Sequence, residues 1–337
     1  MEETIVNYFT YFGLLTILLP MNTRETILSL LEEHSPGYVS GETISSALGI
    51  TRMAVSKAVK KMQDTGIGIE SRKHYGYRLK ESPDVLNKET LTAAFGESGI
   101  GVYYIDTTQS TNRDAKIIAS EGAALPYVVT CSSQTGGRGR LGRSFESPAG
   151  GVYFSLVLDG REIASPDLVT IASATAVSEV MERLTGIETS IKWVNDIYIR
   201  GKKAVGILTE GIINMEEGRL DKVVIGCGIN LRTRESELSP DVRNIAASFY
   251  PDGEADVTRA RVIAECSKRI ISIQKEDFLD TYREKCFVIG KRIWAVKGSQ
   301  RTSAFAYGID DSGHLLVKYD DGREEALSSG EISIRVQ

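Results

Sequence analysis

Apolar residues Ile27, Leu28, Leu30 and Leu31 fall on one stripe of residues 23–33 and predict a short amphipathic helix. A second helix is expected within residues 40–50, with Ser40 suited to cap its start and Gly49 to take the positive φ that ends it. A third follows at once behind Thr51. Val55, Val59 and Met62 repeat on its inner side, while Arg52, Ser56, Lys57, Lys60 and Lys61 occupy the other. Two short helices joined by a glycine turn, the second of them basic, is the helix-turn-helix layout. Residues 66–79 then alternate apolar and polar positions around a basic turn, which predicts a β-hairpin wing.

Ser82-Pro83-Asp84 interrupts the pattern and marks a linker. Beyond it, strand-like runs are expected at residues 102–105, 127–131, 152–158, 191–199, 204–208 and 223–229. Two amphipathic helices accompany them. Leu168, Ile171, Ala174, Val177, Met181 and Leu184 form the stripe of one; Val262, Cys266, Ile270 and Ile273 mark the other. Strands that follow one another through short turns suit an α+β fold with a mixed sheet better than strict βαβ alternation. From residue 290 onward, alternating strands with turns at 310–313 and 320–322 predict a small β module.

With 337 residues the chain exceeds what one core usually organises, so two or three domains are expected. The net charge of -5 makes any basic patch a local feature. One such patch exists: Arg52, Lys57, Lys60, Lys61, Arg72, Lys73, Arg78 and Lys80 outnumber Asp64 and Glu70 in the helix–wing region. It predicts a phosphate-binding footprint, with Arg52, Met53, Ser56, Lys57, Lys60, Arg72 and Lys73 facing DNA. A solvated face on a protein-interaction module is the bland alternative. The cysteines Cys131, Cys227, Cys266 and Cys286 are scattered without a C-x-x-C pair, which suits a reducing, cytoplasmic compartment. His34, His74 and His314 lie far apart, which disfavours a histidine metal site or triad. The apolar run at residues 8–19 is too short to span a bilayer and lacks a basic flank. Residues 1–20 are therefore expected to be a non-native or disordered extension ahead of Met21, and no membrane association is expected.

Four stretches carry candidate chemistry. In Gln134-Thr135-Gly136-Gly137-Arg138-Gly139-Arg140-Leu141-Gly142-Arg143, glycines admit backbone N–H groups close to an anion and arginines add fixed positive forks. The spacing from Gly137 to Gly142 matches the dinucleotide fingerprint, but strand residues rather than a helix follow, so that reading fails; no P-loop motif exists either. The second stretch, residues 191–199, read as one regular strand, places Lys192 and Asp196 on one face. Lys192 would neutralise a carboxylate or α-phosphate, and Asp196 would hold Mg²⁺ or orient the lysine; a structural ion pair is the equal alternative. The third, residues 106–112, is rich in hydroxyl and amide groups, fit for a neutral polar head but equally for a helix cap. The fourth places Gly226 and Gly228 inside a strand, which suggests another chain or a flat ligand against the backbone.

Together these pieces resemble the biotin–protein ligase family in its bifunctional form, with an N-terminal repressor domain. The match runs in order from about Thr23 to the C-terminus. Ser110-Thr111-Asn112, residues 137–142, Lys192-Trp193-Val194-Asn195-Asp196, Gly201-Lys202-Lys203, residues 206–210 and residues 226–230 carry it. Val194 departs from the family, which has proline there.

The resemblance implies a winged helix-turn-helix DNA-binding domain at 21–83, a class II synthetase-like catalytic domain at 84–285 and an SH3-like barrel at 286–337. It implies ATP-dependent formation of biotinyl-5'-AMP, with Mg²⁺, and transfer of biotin to a lysine of the carrier domain of acetyl-CoA carboxylase. Ser110, Thr111, Asn112 and Gln134 would hold the biotin head. Arg138, Gly139 and Arg140 would close over the intermediate, with Gly137, Gly206, Gly226 and Gly228 lining the site and Lys192 stabilising charge. Operator DNA and a homodimer of the adenylate-bound form complete the expectation. A ligand-sensing regulator without ligase activity and a lipoate ligase are the rivals.

Overall fold

The computed structural model describes residues 23–34, 37–64, 69–79, 84–253, 255, 257–297, 299–328 and 333–336. The extension expected at residues 1–20 lies outside them. The chain divides into two compact units, Met1–Pro83 and Asp84–Gln337.

In the first unit, helix α1 (Thr23–Glu33) is followed by α2 (Gly41–Leu48) and α3 (Arg52–Asp64). Ser40 caps α2 by accepting the N–H of Thr43 at 3.0 Å, and Gly49 ends it at φ 62. Thr51 caps α3 through the N–H of Ala54 at 3.2 Å. Ile27, Leu31, Ile44, Val55, Val59, Met62 and Ile69 make one small core. Strands β1 (Ile69–Arg72) and β2 (Gly76–Leu79) pair antiparallel as the expected wing. Val39 and Tyr77 exchange backbone bonds at 2.8 and 2.9 Å, fastening the wing to the start of α2. Gly76 permits that contact: its φ is +109, and a Cβ there would lie 2.1 Å from the Val39 carbonyl oxygen.

The second unit opens with α4 (Lys88–Phe95), β3 (Gly101–Thr108), α5 (Thr111–Ser120), β4 (Tyr127–Gln134) and β5 (Val152–Asp159). After α6 (Val169–Thr185) come β6 (Ser190–Lys192), β7 (Asp196–Ile199), β8 (Lys202–Asn214) and β9 (Arg219–Ile229). Helices α7 (Pro240–Arg243), α8 (Arg259–Ile273) and α9 (Leu279–Lys285) precede β10 (Lys291–Lys297), β11 (Gln300–Ile309), β12 (Leu315–Tyr319), β13 (Glu324–Leu327) and β14 (Ser333–Val336).

Seven strands form one mixed sheet in the order β3-β4-β5-β9-β8-β7-β6, with only β3 and β4 parallel. Side chains alternate across it, as the pleat requires. Val128, Phe154, Leu156, Ile225, Cys227, Val205 and Ile207 share one core with residues of α4, α6 and α8. Tyr127, Val129, Val157 and Val224 pack on the opposite side against Ala115 and Ala119 of α5. The last five strands form an antiparallel sheet, β13-β12-β11-β10-β14. Its inward residues Ile293, Ala304, Leu315 and Val317 join the same core as the central sheet. Among the described residues no helix is long and apolar enough to cross a membrane.

Residues 191–199 correct an expectation. They do not form one strand: β6 and β7 are antiparallel, and Lys192 is the register partner of Asp196. The two side chains do share a face, because directly opposed residues of a hairpin point the same way. The Trp193–Val194 peptide in the intervening turn is cis.

Candidate active site and nucleic-acid interface

The α5 face of the sheet falls away where side chains are missing. One register row runs Tyr153, Gly228, Gly206, Asp196, Lys192 across β5, β9, β8, β7 and β6. The next runs Ser155, Gly226, Leu208. The glycines leave a floor, with Asp196 and Lys192 rising at one end. Over this floor lies a cleft of about 620 Å³. Its lining includes Ser110, Thr111, Asn112, Gln134, Arg138, Gly139, Arg140, Lys192, Asp196, Gly206, Gly226 and Gly228. Gly137 lies buried beside it, and a Cβ there would meet the Phe145 carbonyl oxygen at 2.4 Å.

Part of the space above the two strand glycines is taken by the chain's own side chains. A Cβ on Gly226 would fall 2.1 Å from Oδ1 of Asn112, and one on Gly228 would fall 2.6 Å from the Phe145 ring.

Ser110, Thr111 and Asn112 begin α5, and all three are buried. Ser110 occupies the N-cap position yet makes no side-chain cap bond. The N–H of Thr111 donates to Oε1 of Gln134 at 2.9 Å, and Nε2 of Gln134 donates to Oγ of Ser147 at 2.9 Å. Asn112 donates from Nδ2 to Oε2 of Glu210 at 2.7 Å. Burial pushes the Glu210 carboxyl up, but hydrogen bonds from Lys116 and Asn112 outweigh it and leave the group below its ordinary value.

The arginine–glycine loop is folded back on itself. Gly139 donates its N–H to Arg143 at 2.7 Å and Phe145 donates to Gly137 at 2.9 Å, with Leu141 (φ 55) and Gly142 (φ 73) at the tip. Thr135 and Gly136 donate theirs to Thr108 and Gln109. These four amides are committed to carbonyls. Positive charge facing the cleft comes from side chains. Arg140 reaches Oδ1 of Asn195 at 3.3 Å, and burial pushes its guanidinium below the ordinary value, with Asp196 opposing.

Asp196 forms its ion pair with Lys203, at 2.5 Å, so the expected structural alternative has a different partner from Lys192. Among the described residues no three His, Cys, Asp or Glu side chains gather as a metal cage. Asp196 is a single carboxylate beside two lysines. That donor set fits Mg²⁺ only if substrate oxygens supply most of its ligands, which is the usual manner for this ion.

Several lining residues were not singled out in the sequence. Phe145 covers Gly206 and Gly228. Glu146 accepts from the N–H of Ser239 at 2.8 Å and from its hydroxyl, fastening the loop to the segment of Leu238, Val242, Ile245 and Ala246 that walls the cleft. Asn230 is buried with no hydrogen-bond partner for Oδ1. A lone Phe and Glu in a polar loop give no periodic signal. Asn230 ends the run 226–230, which carries the resemblance without marking its last residue.

In the first unit Arg52, Met53, Ser56, Lys57, Lys60, Arg72 and Lys73 are all exposed, Met53 to 79%. Arg72 stacks over Tyr75, 4.3 Å from the ring centre. Arg78, counted in the basic excess, is tied to Glu70 at 2.8 Å and lies over Tyr38.

Comparison with known proteins gives three family matches in chain order. Residues 23–78 match an HTH domain, 103–230 the biotin/lipoate A/B protein ligase family, and 288–335 the biotin protein ligase C-terminal domain. The bifunctional ligase/repressor BirA of Bacillus subtilis is 32% identical over 323 residues, covering 91% of this chain and 97% of its own. That of Escherichia coli is 27% identical, covering 88% and 93%. Among solved structures, the biotin protein ligase of Aquifex aeolicus in complex with biotin and ATP superposes with a TM-score of 0.61. It is 27% identical and covers 70% of this chain and 99% of that one. The chain belongs to the family of bifunctional ligase/repressor proteins built on a biotin/lipoate A/B protein ligase core.

Proposed function

We propose that this chain joins biotin to ATP, transfers the biotinyl group to a carrier lysine, and represses transcription through its first unit. The observation that carries the enzymatic half is the glycine-floored cleft with Lys192 and Asp196 at one end and the Ser110–Asn112 corner at the other. A cyclic head group suits the polar corner. A carboxylate extending from it would run over the glycines toward Lys192.

In the first step the carboxylate oxygen attacks the α-phosphorus of ATP and pyrophosphate leaves. In the second a lysine amine of the carrier attacks the acyl carbon, AMP leaves and an amide forms. Lys192 and Arg140 stabilise the developing negative charge, and Arg138 and Gly139 screen the anhydride from water; work of this kind is positioning and electrostatics. Gln134 and Thr111 orient each other at the head. Asn230 Oδ1, a buried acceptor without a partner, suits an exocyclic amine of adenine. Mg²⁺ arriving with ATP would be held by Asp196 and would neutralise phosphate charge. Lys203 would have to share that carboxylate.

The carrier partner is the biotin carboxyl carrier domain of acetyl-CoA carboxylase, and the nucleic-acid partner is operator DNA read by α3 and the wing. Three functional segments follow: 21–83 for DNA, 84–285 for catalysis with a class II synthetase-like sheet, and 286–337 as an SH3-like barrel. Support for the barrel is the five-stranded antiparallel order β13-β12-β11-β10-β14. Homodimerisation of the adenylate-bound form would use an edge of the central sheet, where β3 is terminal. Four free, buried cysteines support a cytoplasmic location.

Incubation with biotin, MgATP and the carrier domain tests this. Intact mass should show one biotinyl group added at one carrier lysine. No addition, with no pyrophosphate released, would leave a ligand-sensing regulator; preference for lipoate would change the acid.

A further inference from the structure

The polar corner of the cleft is set from behind by groups that touch no reacting atom. Asn112 donates from Nδ2 to Glu210 Oε2 at 2.7 Å and to the Leu208 carbonyl at 3.4 Å. Its Oδ1 accepts from Ser155 Oγ at 2.5 Å. The other Glu210 oxygen takes the ammonium of Lys116 at 2.6 Å. Ser155, fully buried, also lies 2.8 Å from Thr111 Oγ1, and Thr111 holds Gln134. One string of contacts thus links α5, β8, β5 and β4.

An ionised carboxylate only accepts hydrogen bonds. Facing Glu210, the Asn112 amide therefore has one permitted orientation, because the reverse would set two oxygens against each other. Its oxygen is left toward Ser155 and the Gly226 floor, with one lone pair beyond the Ser155 bond. The charged groups facing Glu210 are Lys116 from α5 and Arg138 from the loop, and both favour the ionised form.

We propose that Glu210 is a positioning residue for substrate specificity: it locks Asn112 as an acceptor, so the corner selects a ring that offers an N–H donor, as a cyclic urea does. This rests on the biotin-ligase reading above. The selection follows because a buried acceptor left facing another acceptor costs far more than a bond gained. Neither residue touches the phosphate or the carboxylate, so the effect belongs in binding of the head and not in the chemical step.

The test is steady-state labelling of the carrier by the full chain, with biotin and with a cyclic carbamate analogue in which one ring N–H is replaced by oxygen. Glu210→Leu is expected to raise the KM for biotin roughly 10–100-fold, with kcat at saturating biotin and the KM for ATP within about threefold. Its discrimination against the carbamate should shrink about tenfold or more. Glu210→Gln, which can still present an oxygen to Nδ2, should recover most of the biotin KM. Lys116→Met provides a second route if Glu210→Leu does not fold. With the ammonium gone Glu210 is held on one side only, so Lys116→Met should raise the biotin KM in the same direction, with kcat again near wild type. An unchanged biotin KM and unchanged discrimination in folded Glu210→Leu, or in Lys116→Met where Glu210→Leu does not fold, would overturn the proposal while wild-type labelling still upheld the ligase reading. Parallel loss of kcat and both KM values, without rescue by glutamine, would mark a merely structural role. Failure of the wild type to label the carrier would overturn both.

Discussion

The indole Nε1 of Trp193 donates to the carbonyl of Gly313 at 3.0 Å, joining the turn between Lys192 and Asp196 to the β11–β12 turn of the C-terminal module. Tyr282 reinforces the same turn by donating to the Val194 carbonyl at 3.1 Å. Gly313 sits close against Leu168 and Ile171, so the contact has a rigid backing. The module is thereby part of what holds the catalytic hairpin. Trp193→Phe keeps most of the packing and strands a buried carbonyl, a loss of about 1–3 kcal/mol. The expected result is a lower Tm together with slower adenylate formation, read by thermal denaturation and pyrophosphate release.

Lys192→Ala tests the charge at the reacting centre. Removing one oriented charge there should slow adenylate formation by about 10²–10³-fold, equivalent to about 3–4 kcal/mol, with the Tm little changed. Near wild-type pyrophosphate release would assign Lys192 to a structural role.

Glu146 offers a different handle, because its carboxylate holds the arginine–glycine loop to Ser239 across the mouth of the cleft. Glu146→Ala should let the loop and the 238–246 segment separate more readily. Biotinyl-adenylate formed without carrier should then leave the protein faster, by roughly the 10–150-fold that losing a charge-assisted bond implies. Rapid filtration with labelled biotin measures the release rate.

Acid stability should respond at Glu182. Burial pushes its carboxyl up, yet hydrogen bonds from Lys285 and Thr189 prevail and leave it below the ordinary 4.5. The unfolded chain therefore holds the proton more tightly, and stability gained from Glu182 is complete above the ordinary value and is lost as pH falls through the lowered one. Glu182→Gln should flatten the rise of urea midpoint with pH in that acidic window, and an unchanged slope would count against the ion pair.

On the DNA side, Lys57 lies on the exposed face of α3. Lys57→Ala should weaken binding similarly across DNA sequences and reduce the slope of log affinity against log salt by about one. Titrations at several salt concentrations measure it.

The first unit was the most legible part of the chain, because Ser40, Gly49 and Thr51 are local signals that act through the backbone beside them. The floor of the cleft was half legible. Gly226 and Gly228 announced a close approach, but the approaching groups, Asn112 and Phe145, come from far along the chain. Residues 191–199 misled for a definite reason: no Gly or Pro marks the turn, and the one local sign, two apolar residues (Trp193, Val194) followed by two polar ones (Asn195, Asp196), is a brief lapse in an otherwise strand-like run. Lys203 as the partner of Asp196 was hidden in the same way, since the pairing depends on a turn that periodicity does not mark. Glu210 did carry a signal, a carboxylate in a half-buried strand position that required a partner.

Acyl-adenylate formation within this cleft is best checked without any carrier. The full chain is mixed with biotin and MgATP, freed of small molecules by gel filtration, denatured, and the extract analysed by mass spectrometry. About one biotinyl-5'-AMP per chain is expected, falling sharply in Lys192→Ala. Biotin and ATP recovered unreacted, or no ligand retained at all, would contradict the site as built here from Lys192, Arg140 and the Ser110–Asn112 corner.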